Sequence, residues 1–169
     1  MLYEDVFRAL NRKRIKYAIA GGAAVLLHGF VRFTADLDLI VAISRENLGK
    51  FFDTLYNLGY RPKVPVKKEE FMDKAKRKEW IEQRGMIVFS FFHLKEHLRL
   101  IDVFVEEPIK FSEIEKKIKK FRLKNISVPV LGIEHLKELK RRAGRPQDLI
   151  DIKNLEELER IKNERAKKS

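Results

Sequence analysis

Two aspartates interrupt an otherwise apolar, β-favouring run, Asp36-Leu37-Asp38-Leu39-Ile40-Val41-Ala42-Ile43, and no other feature constrains the fold as strongly. Leu, Ile and Val at this density specify an extended segment. Alternate side chains of a strand share a face, so Asp36 and Asp38 project together while Leu37 and Leu39 turn into the core. Two carboxylates on one rim repel each other, and a hard divalent cation such as magnesium is the usual oxygen-ligated partner that relieves this. Leu100-Ile101-Asp102-Val103-Phe104 repeats the device. A lone charge in such a run is costly to bury unless it too is partnered. If the two strands are neighbours, three carboxylates line one rim, an arrangement suited to one or two metals in phosphoryl or nucleotidyl transfer.

The segment before the acidic run adds a second element. Tyr17-Ala18-Ile19-Ala20 reads as a strand stopped by Gly21-Gly22, and Ala23 to Leu27 as a short buried helix reaching to Gly29. Backbone N–H groups at such a strand-to-helix turn, with the positive helix end behind them, can receive phosphate oxygens. Alone, a Gly-Gly pair is more often only a tight turn. The order of parts gives it weight: strand, Gly-Gly, helix, Asp-x-Asp strand, then a later strand with a third Asp.

The rest of the chain alternates helix-like and strand-like segments. Leu2, Val6 and Leu10 have helical spacing over residues 2–12, closed by Lys13-Arg14. Ser44 caps a helix that Gly59 stops, and Pro62 and Pro65 break the chain before a polar helix ending at Gly85. Residues 86–94 and 98–106 predict an antiparallel hairpin across Lys95-Glu96-His97, the first run lying centrally because it is apolar on both faces. Residues 109–121 and 134–143 have helical spacing on either side of Val128-Pro129-Val130, and a Lys/Glu-rich helix runs from Asp148 to Ser169. The expectation is an α/β (α+β) fold with a mixed sheet of about four to five strands flanked by helices. Residues 1–107 form the core, and 108–169 a C-terminal helical extension packed on it as a single unit.

Composition sets outer bounds. With 169 residues, 44% of them apolar, and 12 Phe, the chain can bury one respectable core. No apolar run has membrane-spanning length and the first residues are charged, so a soluble, cytoplasmic protein without membrane contact is expected. With no cysteine, any metal sits on oxygen or imidazole. The four histidines, His28, His93, His97 and His135, share no ligand spacing, so no histidine chemistry is read. A net charge of +12 favours phosphate-bearing partners, although interleaved Lys, Glu and Arg also suit solvated helices. The Lys116-Lys117-Lys119-Lys120 cluster has the same two readings. Trp80 and the aromatic run at 89–92 read as core.

The stretch from Gly21-Gly22-Ala23-Ala24 to Thr34-Ala35-Asp36-Leu37-Asp38-Leu39 resembles the motif of the DNA polymerase beta-like nucleotidyltransferase superfamily. Within it, the chain resembles the small prokaryotic proteins similar to the AbiEii toxin and the minimal nucleotidyltransferases. The run Lys140-Arg141-Arg142-Ala143-Gly144-Arg145-Pro146-Gln147-Asp148-Leu149-Ile150-Asp151 resembles their Lys, Arg and Asp-x-x-Asp helix motif. The resemblance implies the nucleotidyltransferase fold, with Mg2+ or Mn2+ on the catalytic Asp36, Asp38 and Asp102. It further implies a nucleoside triphosphate contacting Gly21, Gly22, Thr34, Lys140 and Arg145. Arg145 has an equal alternative as a structural partner of Asp148 or Asp151, and Arg32 reads as a salt-bridge partner. The turn departs from the superfamily in being Gly-Gly where Gly-Ser is common.

Three functions follow as alternatives. One is an enzyme moving a nucleoside monophosphate from an NTP to an acceptor hydroxyl on a small molecule, a protein or an RNA. Another is a catalytically weak nucleotide-binding member working with a helical antitoxin partner. The third is a basic nucleic-acid-binding module in which the aspartates only anchor local hydrogen bonds.

Overall fold

The computed structural model describes residues 3–168; Leu2 and Ser169, included in the first and last helices expected from the sequence, lie outside them. Its centre is the acidic strand β2 (Asp36–Val41), which pairs antiparallel with β1 (Tyr17–Ile19) and parallel with β5 (Leu100–Phe104). The hairpin partner β4 (Val88–His93) runs antiparallel to β5, and the short β3 (Tyr60–Pro62) closes that side. On the other side β7 (Ile126–Val130) joins β1 in parallel and β6 (Lys119–Leu123) forms the far edge. The result is a seven-stranded mixed sheet, β3-β4-β5-β2-β1-β7-β6.

The helices are α1 (Glu4–Arg12), α2 (Gly21–His28), α3 (Arg45–Asn57), α4 (Lys68–Met72), α5 (Lys74–Arg84), α6 (Phe111–Lys117), α7 (Ile133–Ala143) and α8 (Pro146–Lys168). Side-chain alternation decides which face each layer covers. Phe89 and Phe91 of β4, Ile101 and Val103 of β5, and Leu37 and Leu39 of β2 fall on one face by register, and all are fully buried. Phe51 and Phe52 of α3, Phe71 of α4 and Trp80 of α5 pack their rings there against Phe89 and Phe91. This aromatic cluster supplies a large share of the apolar burial. The opposite face carries Asp36, Asp38, Ser90 and Asp102, all partly exposed, and α2 meets it at Gly21.

The strand count exceeds the four to five expected. Residues 109–121, read as one helix, form the short α6 and then β6, because Phe121 and Leu123 fall at strand spacing that the flanking lysines hide. Val128-Pro129-Val130, which the sequence assigns to no element, lies in the strand β7 although Pro129 has no N–H for a ladder. Pairing between β7 and β1 is confined to Ile19↔Val130 and the Leu131 N–H donated to Ile19 O at 2.9 Å, so that N–H is not needed. The segment after residue 107 therefore adds two strands to the main sheet as well as helices. The polar helix ending at Gly85 is two helices, divided at Asp73, whose carboxylate caps α5 by accepting the Lys76 N–H at 2.8 Å. The run at 86–94 gives an interior strand, flanked by β3 and β5, but only one face of it, that of Phe89, Phe91 and His93, is buried.

Candidate functional site

Register brings the three aspartates together. In the parallel β2–β5 pair, Asp38 stands opposite Asp102, and Asp36 lies two residues before Asp38 on the same face. Adjacent strands are about 4.8 Å apart, so the carboxylates share one rim. Tyr3 holds the entries of both strands. Its hydroxyl lies 2.9 Å from Ala35 O and 2.8 Å from Leu100 O, and it accepts the Leu100 N–H at 3.1 Å. Ser90 Oγ, opposite Asp102 on β4, donates to Asp102 Oδ1 at 2.6 Å.

The rim is electrostatically uncompensated. Among the described residues no Lys, Arg or His nitrogen lies within 4 Å of the Asp36, Asp38 or Asp102 carboxylates. Burial, with the negative charges of Asp102 and Asp36 added, pushes the Asp38 carboxyl up to about 6 despite the more distant Lys140 and Arg145. Asp36 is raised as well, by burial and then by Asp102, with Lys63 opposing. Among the described residues no three His, Cys, Asp or Glu side chains come together in a form that could hold a metal ion. What the rim offers is three carboxylates on one face without cationic partners, the donor type that a hard divalent ion takes.

The Gly21-Gly22 turn fits against this rim at van der Waals limits. Gly21 has φ +57, and a Cβ there would lie 1.9 Å from Asp38 Oδ2, so only glycine permits both the backbone and the carboxylate position. The helix α2 begins at Gly21, and its first-turn N–H groups open beside Asp38 without intrahelical partners. A Cβ on Gly22 would meet Arg32 Nη1 at 2.7 Å and Thr34 Oγ1 at 2.9 Å. A side chain at Gly22 would therefore require Arg32 and Thr34 to shift, and the Thr34 hydroxyl stands beside the space it would take. Thr34 Oγ1 donates to Asp36 O at 3.2 Å.

Lys140 and Arg145 lie close enough to influence Asp38, yet both are held by α8. Lys140 Nζ lies 2.6 Å from Asp151 Oδ2 and 3.3 Å from Asp148 Oδ1, with all three side chains buried. Arg145 Nε donates to Asp148 Oδ2 at 2.7 Å, and Arg32 reaches Asp151 Oδ2 at 2.9 Å. For Arg145 the structural use is the one formed. For Arg32 the partner is Asp151 rather than an aspartate of the rim. Burial opposes charge on Asp148, but the Arg145 hydrogen bond and the Lys140 and Arg145 charges overcome it and hold its carboxyl below the ordinary value.

Sequence reasoning missed Tyr3 and Ser90, whose roles come from partners 97 and 12 residues away. Among the histidines, His28 and His93 each place Nε2 on a backbone carbonyl, of Leu131 at 2.9 Å and of Leu58 at 3.0 Å.

By sequence, no family model and no curated protein matches the chain. By structure, it resembles nucleotidyltransferases over nearly its whole length. The lincosamide antibiotic adenylyltransferase LnuA, solved with lincomycin bound, is 17% identical with a TM-score of 0.59, covering 90% of this chain and 93% of LnuA. ANT(2'')-Ia in complex with adenylyl-2''-tobramycin is 15% identical with a TM-score of 0.58, covering 99% and 97%. A nucleotidyltransferase-like protein from Paracoccidioides brasiliensis is 17% identical with a TM-score of 0.51, covering 89% and 71%. The chain has the mixed-sheet fold of these nucleotidyltransferases, and no helix among its described residues is long and apolar enough to cross a membrane.

Proposed function

We propose that the chain transfers a nucleoside monophosphate from a nucleoside triphosphate to an acceptor hydroxyl. The observation that carries this reading is the Asp38↔Asp102 register, which sets two carboxylates side by side with Asp36 on the same face. The Gly21 turn packed against Asp38 and the fold shared with LnuA support it.

In this reading Asp36, Asp38 and Asp102 hold Mg2+ or Mn2+, for which three uncompensated oxygen ligands are a chemical fit. Such an ion, when bound, neutralises charge on the transferring phosphoryl group and acidifies the acceptor hydroxyl. First-turn N–H groups of α2 receive phosphate oxygens at the positive helix end. Thr34 supplies the hydroxyl that the Gly-Gly turn lacks, which favours a working site over a silent nucleotide sensor. Attack by the acceptor oxygen forms a bond to the α-phosphorus and breaks the bond to the pyrophosphate oxygen. The hydroxyl proton passes to Asp102, which Ser90 holds in place. Lys140 and Arg145, held by Asp148 and Asp151 but with charges that still act on Asp38, offset charge growing on the pyrophosphate. The Lys140 to Asp151 motif is the ground for placing the chain beside the small AbiEii-like branch, whose members would work in a cytoplasmic toxin–antitoxin pair.

The test is a transfer screen with α-labelled ATP and the other triphosphates, with Mg2+ or Mn2+, against cell extract. Label should move into an extract component and pyrophosphate should accumulate with the parent chain, and neither should occur with Asp36→Asn/Asp38→Asn. Equal transfer by the double variant removes the site assignment.

A further inference from the structure

Positive charge is not spread evenly over this protein. Residues 110–124 hold seven Lys or Arg against two Glu, and this stretch supplies the end of α6 and the edge strand β6. Lys116, Lys117, Lys119, Lys120, Arg122 and Lys124 are all exposed. Several surface cations elsewhere are neutralised locally, Arg160 between Glu157 and Glu164, Lys76 beside Glu79, Lys78 beside Glu82 and Arg142 beside Glu138. Others such as Lys13, Arg14 and Lys74 have no carboxylate within 4 Å among the described residues; what sets the β6 edge apart is the run of cations in one stretch. On this edge Glu115 is taken by Lys16, and Lys124 pairs with Glu4. Among the described residues Lys116, Lys117, Lys119, Lys120 and Arg122 have no carboxylate within 4 Å. Unscreened cations along one strand repel each other, and an anionic partner relieves that repulsion.

The shape of the patch indicates what kind of anion. Among the described residues β6 pairs only with β7, which leaves its outer edge without a strand partner, and its cations recur along the strand, Lys120 and Arg122 on one face and Lys119 on the other. Arg122 stands opposite Ser127, and Ser127 lines a groove of about 570 Å³ with Arg8, Asn11, Arg12 and Asn125. The charged edge thus runs towards a groove that holds two more arginines, Arg12 and the Glu4-paired Arg8, beside the carboxylate of Asp5, a linear track rather than a single-ion pocket. At its other end Lys119 stands opposite Val130, which pairs with Ile19, which pairs with Leu39, the neighbour of Asp38. Lys119 and the acidic rim therefore occupy the same end of the sheet, three strand spacings or about 14 Å apart.

We infer that the β6 edge and its groove bind the phosphodiester backbone of a nucleic acid. The chain's net charge of +12 is complementary to such a polymer. Only the idea that the bound strand presents its end to the acidic rim rests on the proposed function; the binding itself does not.

The experiment is fluorescence anisotropy of labelled oligo(U) and oligo(dT), titrated with the full chain over a salt series without triphosphate. Three proteins are compared with the parent: Lys116→Gln/Lys117→Gln/Lys119→Gln/Lys120→Gln/Arg122→Gln; a control losing the same five charges elsewhere, Lys50→Gln/Lys74→Gln/Lys76→Gln/Lys78→Gln/Arg160→Gln; and Asp38→Asn. Thermal melts establish that each is folded. The edge variant should bind either oligonucleotide at least about tenfold more weakly and lose about 3 from the slope of log K against log salt, while the control changes far less. Asp38→Asn should bind as the parent does. Equal losses in the edge variant and the control, or competition by polyglutamate as effective as by oligonucleotide, overturns the inference. Loss of oligonucleotide binding in the edge variant with Mg-ATP binding intact, and the reverse in Asp38→Asn, separates this surface from the transfer site.

Discussion

Two clusters of aspartate flank the Gly21 turn, and they are built oppositely. Asp148 and Asp151, at the start of α8, are 1% exposed, and every charge there is answered by Lys140, Arg145 or Arg32. Asp36, Asp38 and Asp102 lie on an open face with no cation in contact among the described residues, and burial pushes the Asp38 carboxyl up to about 6. The first cluster is finished by the chain itself and fastens α7, α8 and the loop before β2 together. The second is left electrostatically incomplete, which the proposed function accounts for by a cation that the chain does not itself supply. Burial works against charge at both Asp38 and Asp148; the neighbours decide the net direction.

Substitutions break this comparison in order of size. Lys140→Met leaves two buried carboxylates short of their shared cation, and a loss of about 3 kcal/mol in denaturant unfolding is expected, as for a truncated buried pair. Gly21→Ala places a methyl group on Asp38 at positive φ and should cost about 2 kcal/mol, with nucleotide affinity lost in the same protein. Asp38→Asn should do the reverse to stability, gaining about 2 kcal/mol at pH 7 while abolishing metal-dependent nucleotide binding. Ser90→Ala removes one hydrogen bond to Asp102 and should cost about 1 kcal/mol or less, with a modest fall in transfer rate.

The pH dependence sharpens the same contrast. The Asp38 pKa is raised on folding from its ordinary 3.8 to about 6, so the folded chain binds that proton more tightly than the unfolded one. Its contribution is therefore most favourable below pH 4, is lost as pH rises through 6, and is constant above. Asp148 is lowered, so its contribution is present above its ordinary value and is lost as pH falls through the lower folded one. Urea unfolding across pH 4 to 7 should show the gain of Asp38→Asn vanish at the acid end, and metal-dependent nucleotide binding by the parent should weaken below about 6.

The acidic rim was legible because a strand's period is strict. Once Asp36 and Asp38 alternate with buried leucines, their face is fixed, and Asp102 joins if its strand is adjacent, as the Asp38↔Asp102 register has it. The sheet's far side was not legible. Lys119-Lys120-Phe121-Arg122-Leu123 holds too few apolar residues to announce a strand, and Pro129 speaks against one; the β6–β7 hairpin, joined to β1 at Ile19↔Val130, overrides both. Tyr3 and Ser90 were missed because a hydroxyl leaves no sequence period, and each acts across strands brought together only by folding. The motif at 140–151 identified the cations but not their partners, and their seating among Asp148, Asp151 and Arg32 required the packing of α7 on α8.

The most direct measurement is calorimetric titration of a non-hydrolysable ATP analogue into the parent, Asp38→Asn and Asp102→Asn, with magnesium and with chelator, at pH 7 and pH 6. The parent should bind only with magnesium and should release protons on binding at pH 6, where Asp38 is about half protonated. Neither variant should bind measurably. Equal affinity in parent and variants, or binding by the parent that chelator leaves untouched, contradicts a rim built around a cation.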